Sequence, residues 1–113
     1  MLSFRLYMLQ RLSALIMAPL VFGHIAVMIY AIQGGLSAEE ILGRTQGSVG
    51  WGLFYGLFVI AVSIHAGIGV SVIAAEWLKL NKASQHAIMA STMLAFLALG
   101  FWAVIGVTMG GGP

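Results

Sequence analysis

A chain of 113 residues that is 61% hydrophobic and only 7% charged is not an ordinary soluble domain, in which about 25% of residues carry charge. Its formal charge of +2 rests on five basic residues, too few for a nucleic-acid surface, so nucleic acid is not an expected partner. The absence of cysteine excludes disulfides, thiolate metal sites and thioether-linked haem, and leaves histidine to hold any cofactor.

Three uncharged stretches are long enough to cross a bilayer, at residues 12–32, about 49–75 and about 87–107. The expected fold is an all-α integral membrane protein of three transmembrane helices. Arg5 and Arg11 lead into the first stretch. A basic start before an apolar run is also the pattern of a signal peptide, but this run is about 21 residues long and lacks a clear small-x-small cleavage site, so it is read as a span. Pro19 inside it removes one backbone hydrogen bond and is expected to kink the helix. His24 lies about midway, and Gly23 before it opens space beside the ring. Gly34 and Gly35 end the span. Residues 37–44 read as a short amphipathic surface helix, with Ser37 as N-cap, Glu40 as its capping-box partner, and Ile41 and Leu42 turned to the lipid interface.

Trp51 and Tyr55 mark the headgroup level at the start of the second span. Gly52 and Gly56 form a G-x-x-x-G that lets another backbone come close, or simply faces lipid. From residue 45 to residue 75 there is no Asp, Glu, Lys or Arg, and His65 sits inside that run. Glu76 and Trp77 close it, a polar connection follows at 79–85, and the third span leads to the tail Gly110, Gly111, Gly112, Pro113. Three helices make a poor closed bundle, so a partner subunit or oligomerisation is expected. Arg5, Arg11, Lys79 and Lys82 lie on one side, against Arg44 with Glu39 and Glu40 on the other, which places the N-terminus inside.

An imidazole within hydrocarbon must have its nitrogens satisfied and is by default a functional group facing a bundle interior. Ala61, Gly69, Val72 and Glu76 share the helical face of His65. That face is mostly small and leaves room for a flat, bulky ligand, for which haem is the first candidate. A lone transmembrane histidine can instead be a structural hydrogen-bonder or a proton relay, as in a small non-redox transporter subunit or assembly component. Two histidines in adjacent spans favour haem, with His65 and His24 as its ligands. His24 lies roughly 15 Å from the outer end by residue count and His65 roughly 21 Å, which favours two levels over one haem gripped by both. Arg11, Ser13, Glu76, Trp77 and His86 belong near the inner face, where a quinone headgroup or a haem propionate would sit. Arg11 would pair with a propionate or a quinone carbonyl, Ser13 would donate to the carbonyl, and Trp77 would donate its indole N–H. The plainer alternatives are a snorkelling Arg, an interfacial Trp and, for His86, a surface side chain. The seven methionines read as packing.

The run His65-Ala66-Gly67-Ile68-Gly69-Val70, with Glu76-Trp77 after it, resembles the second helix of the cytochrome b membrane-anchor subunits of succinate dehydrogenase and fumarate reductase. Arg11-Leu12-Ser13-Ala14 is similar to that family's Arg-x-Ser/Thr-Gly/Ala near the quinone site and haem propionates. Gly23-His24 resembles the first-helix Gly-His of the dihaem members, in which each of the two helices ligates a different haem. Tyr7, Gln10, Ser71 and Trp77 depart from the family's usual residues at those places. The resemblance implies half of a five- or six-helix haem-binding bundle that carries one or two haem b groups shared with a partner chain. It implies electron transfer between an iron–sulfur subunit and membrane quinone, in the respiratory and tricarboxylic acid cycle setting of succinate dehydrogenase. The implied partners are a flavoprotein, an iron–sulfur subunit, membrane lipid and a second three-helix subunit, a related chain in preference to a second copy. The implied location is a bacterial cytoplasmic membrane or an equivalent energy-transducing membrane. A haem b anchor for another quinone-linked dehydrogenase would carry the same residues.

Overall fold

The structure, a computed structural model, describes residues 3–109; the glycine tail from 110 onward lies outside them. Four helices follow one another: α1 (Phe4–Gly34), α2 (Ala38–Thr45), α3 (Val49–Leu78) and α4 (Lys82–Thr108). The three long ones are apolar enough to cross a membrane, and the chain is an all-α multi-pass membrane protein. Its long dimension of 48 Å is close to the roughly 46 Å rise of a 31-residue helix.

Each boundary has a local cause. Ser3, Ser37, Ser48 and Asn81 stand at the four N-caps, each side chain accepting a hydrogen bond from a first-turn backbone N–H. At α2 the capping box is complete, Ser37 accepting from Glu40 N and Glu40 accepting from Ser37 N. Gly35 ends α1 at φ +119°, where a Cβ would also collide with the Glu40 carboxylate. Pro19 stands inside a continuous α1. The polar connection is shorter than the composition suggests: Lys79 turns the chain in the left-handed conformation and α4 already begins at Lys82.

Helix α3 is the centre of the structure, packed most extensively on α4 and less on α1, while α1 and α4 hardly meet. The tightest approach is between α3 and α4. Gly67 lies where a Cβ would stand 3.1 Å from the Met89 carbonyl oxygen, and a Cβ on Gly100 would run into Val59. The G-x-x-x-G pair does less. Gly52 and Gly56 do face α4, but at ordinary distances of 4.0 Å from Thr108 and 3.8 Å from Phe101. The motif marks the right face, but the closest backbone approach lies farther along the helix.

The buried residues are small and hydroxylic more than large and apolar. Ser13, Thr45, Ser63, Ser71 and Thr108 are all buried, and each hydroxyl donates to a helix carbonyl three or four residues back. This disposes of the proton within the helix and lets neighbours pack closely. The large apolar side chains point outward, among them Leu15, Phe22 and Trp102 at 70–75% exposure, as suits contact with lipid or a partner. Helix α2 behaves differently from a helix floating at the lipid interface. Thr45 shares its one hydroxyl proton between Ile41 O at 3.1 Å and Val107 O at 2.7 Å, Gly47 N donates to Thr108 O at 2.6 Å, and Ile41 lines two of the cavities. Those bonds tie α2 to the C-terminal end of α4 and turn Ile41 toward the helices.

If Gly67 and Gly100 set the α3–α4 distance, Gly67→Leu and Gly100→Leu should each destabilise the protein by about 1–3 kcal/mol. Gly106→Ala, at a position with open space around it, should be neutral. Thermal unfolding in detergent followed by circular dichroism checks this, and equal effects at all three positions would contradict it.

Candidate functional site

The antiparallel register of α1 and α3 decides what each histidine can do. Gly23 faces the Phe54 ring, Ser13 faces His65, and Gln10 faces Gly69. Each of these pairs sums to nearly the same residue total, so the two helices run alongside one another without slippage. His24 is therefore level with the first third of α3, and eleven residues separate it from Ser13, which is level with His65. At about 1.5 Å per residue the two histidines stand roughly 16 Å apart along the helix axes. Two imidazoles on one iron are only about 4 Å apart, nitrogen to nitrogen, at about 2 Å per bond, so His24 and His65 of one chain cannot share a metal. The separation exceeds the roughly 6 Å obtained by counting from Gly34 and Trp51. Those two residues are not level: Gly34 overhangs α3 and stands beside Arg44 of α2, whose Nη1 lies 3.6 Å from its Cβ position.

Around His65 the contacts are specific. Its Nδ1 lies 3.4 Å from Ser13 Oγ. The Ser13 hydroxyl donates to Gln10 O at 2.9 Å, which leaves its lone pairs for the ring. Nε2 of His65 has no hydrogen-bond partner among the described residues. The strip of small residues beside His65 is partly filled from α1. The Gln10 side chain rests on Gly69, with Nε2 at 3.3 Å from its Cβ position, and Gln10 Oε1 is buried without a donor. The sequence marks Gln10 only as a departure from a family pattern. Its contact with Gly69 depends on the inter-helix register, which no local signal carries.

His24 sits in an aromatic setting, edge-on to Phe58 at 5.2 Å and to Tyr55 at 6.3 Å between ring centroids. Phe54 fills the space opened by Gly23. The histidine has no hydrogen bond among the described residues and borders a cavity of about 300 Å³ lined also by Phe58, Val104 and Val107. A larger cavity of about 650 Å³ opens toward the α2 end, where Tyr30, Arg44, Trp51 and Tyr55 stand. Arg44 lies over the Tyr30 ring at 5.4 Å and donates to Gly35 O.

Of the other residues singled out in the sequence, Ser13 alone is gathered with a histidine, buried against His65 and donating to Gln10 O. Arg11 is two residues before it, about 200° around the helix from Ser13, and points away from α3. Its guanidinium donates to the Tyr7 hydroxyl at 3.4 Å, lies over the Tyr7 ring, and lines a hollow of about 550 Å³ with Met8, Leu12 and Leu15. Glu76, Trp77 and His86 are exposed. Trp77 lies ten residues beyond the level of Arg11 on the α1–α3 register, roughly 15 Å.

Among the described residues no three His, Cys, Asp or Glu side chains come together as a metal cage. Each histidine thus offers one bond to a metal. A bare cation needs four or more ligands and does not fit that donor set. A metalloporphyrin does, since its four ring nitrogens surround the metal and only axial ligands are asked of the protein.

No curated protein and no solved structure matches the chain. A family model described as succinate dehydrogenase/fumarate reductase transmembrane subunit matches residues 2–107, which takes in α1 to α3 and all but the last residue of α4. With nearly the whole chain matched, and with three apolar membrane-spanning helices, the protein belongs to the succinate dehydrogenase/fumarate reductase transmembrane subunit family.

Proposed function

We propose that the protein is a haem b-binding membrane anchor of a succinate:quinone oxidoreductase-type complex, carrying electrons between an iron–sulfur subunit and membrane quinone. The observation that supports this best is the state of His65, a mid-span imidazole with Nδ1 engaged by Ser13 and Nε2 bare. A bare nitrogen in hydrocarbon is costly for a side chain that merely bridges helices, and it is what an axial haem ligand requires. His65 would ligate an inner haem and His24 an outer one, at two levels roughly 16 Å apart. Haem b, when bound, supplies a one-electron relay. The chain's own part is to hold each imidazole at a fixed depth and to keep water from it, through Phe58 and Tyr55 at His24 and through Gln10 and Ser13 at His65.

This chain would give one imidazole to each haem, and a second three-helix subunit would give the other. A related chain suits this better than a second copy, because an asymmetric pair of flavoprotein and iron–sulfur subunits docks poorly on a symmetric platform. The excess of basic residues beside the N-terminus and the α3–α4 turn supports an inward-facing N-terminus in a cytoplasmic or equivalent energy-transducing membrane. Quinone is assigned to the hollow at Arg11, whose guanidinium can donate to a carbonyl oxygen. Trp77 stands too far along the axis to share that headgroup within one chain, and it is assigned to the inner interface with the soluble subunits.

Reduced-minus-oxidised spectra of the purified complex test the haem reading. His65→Ala should abolish or strongly perturb a low-spin haem b signal, and His24→Ala should lower the haem count from two to one per anchor. An unchanged spectrum in both variants would sink it and favour histidines of a structural or proton-relay kind.

For quinone, Arg11→Leu should cut quinone reductase activity by about tenfold or more, the loss of one charge-assisted hydrogen bond of about 1.5–3 kcal/mol, with haem content retained. Wild-type activity in that variant would place the headgroup elsewhere.

A further inference from the structure

We propose that Ser13 is the positioning residue of His65, fixing the imidazole with its proton on Nδ1 so that Nε2 is the nitrogen presented to a metal. The redox consequence rests on the haem reading above, whereas the tautomer is a property of the protein without haem.

A serine hydroxyl has one proton to give and two lone pairs to receive with. Ser13 gives its proton to Gln10 O at 2.9 Å and stands 3.4 Å from His65 Nδ1. If Nδ1 carried the lone pair, two acceptors would face each other, or Ser13 would have to leave the shorter bond for the longer one. The geometry favours Nδ1–H donating to Ser13 Oγ. Which imidazole nitrogen is free to bind a metal is set by the hydrogen bond that the other one makes.

The surroundings remove competing partners. Ser13 is the one buried side chain among the described residues of α1, at 4% exposure. Gln10 lies over Gly69, one helical turn from His65, and closes that side. The other buried hydroxyls of the long helices, Ser63, Ser71 and Thr108, bond to carbonyls in the same way but have no histidine contact. Ser13 differs from them only in what its lone pairs face. A metal-bound histidine characteristically donates its second N–H to such an acceptor, which orients the ring and raises its basicity. A more basic ligand favours the ferric state and holds the haem potential down.

The experiment reads the haem-free protein first. In the ¹⁵N-labelled wild type in detergent, the His65 ring should carry its proton on Nδ1, assigned by comparison with His65→Gln. Ser13→Ala should move the proton wholly or partly to Nε2, Ser13→Thr should restore the wild-type state, and Ser63→Ala should leave it alone. In the haem-loaded complex Ser13→Ala should raise the midpoint potential of one haem and Ser13→Thr should not. A tenfold loss of ferric relative to ferrous binding reads as an upward shift of about 59 mV in a one-electron couple. Nε2–H in the haem-free wild type overturns the proposal without any variant having to fold. An unchanged tautomer in Ser13→Ala overturns it as well. If His65→Ala kept the full haem signal, the ligand reading would fall, and the tautomer of the haem-free protein would still decide the role of Ser13.

Discussion

The absence of water from the bilayer core governs this structure, because every polar atom placed there must find its partner within the protein. The serines and threonines meet the demand locally. Their hydroxyls give the proton to a carbonyl of their own helix, at 2.6–3.1 Å, and become small enough in effect to sit at helix contacts. The histidines cannot do this. An imidazole has two nitrogens on opposite sides of a rigid ring, and a neutral ring presents a donor on one and an acceptor on the other. His65 has one nitrogen met by Ser13, and His24 has the rings of Tyr55 and Phe58 beside it and no hydrogen bond among the described residues.

The same constraint determines how much of the fold could be read from residues. Charge depletion marks the three long helices because a spanning segment tolerates almost no charge, and the Ser37–Glu40 capping box marks α2 because those two side chains satisfy each other within four residues. These are local signals. The register between helices is not local. Depths counted from Gly34 and Trp51 put the histidines roughly 6 Å apart, and the contacts of Gly23 with Phe54 and Gln10 with Gly69 widen that to roughly 16 Å. The difference arises because Gly34 and Trp51 are not level: α2 occupies the space beside the overhang of α1. Rotation about the axis is equally invisible. Ser13 and Arg11 stand two residues apart in sequence, and the helix sends one toward His65 and the other away from it.

Glycine illustrates the distinction. Gly52 and Gly56 carry the recognised spacing but meet α4 at ordinary distances, whereas Gly67 and Gly100, in no common motif, stand where the backbones come nearest. Spacing says which residues share a face; the crossing point of the two axes says where along that face closeness is needed. Gly67 is also two residues from His65. The tight α3–α4 contact therefore fixes the height and rotation of the segment that carries His65.

The open architecture follows from this division of labour. Helices α3 and α4 are locked together by small residues, while α1 contacts α3 less extensively and barely meets α4. Both histidines lie at this less extensive contact, His24 against Tyr55 and Phe58 of α3 and His65 against Ser13 of α1, at two separate levels. Because α1 is held by this contact far more than by any with α4, a ligand or second subunit that binds the folded chain along α1 would add most to its stability.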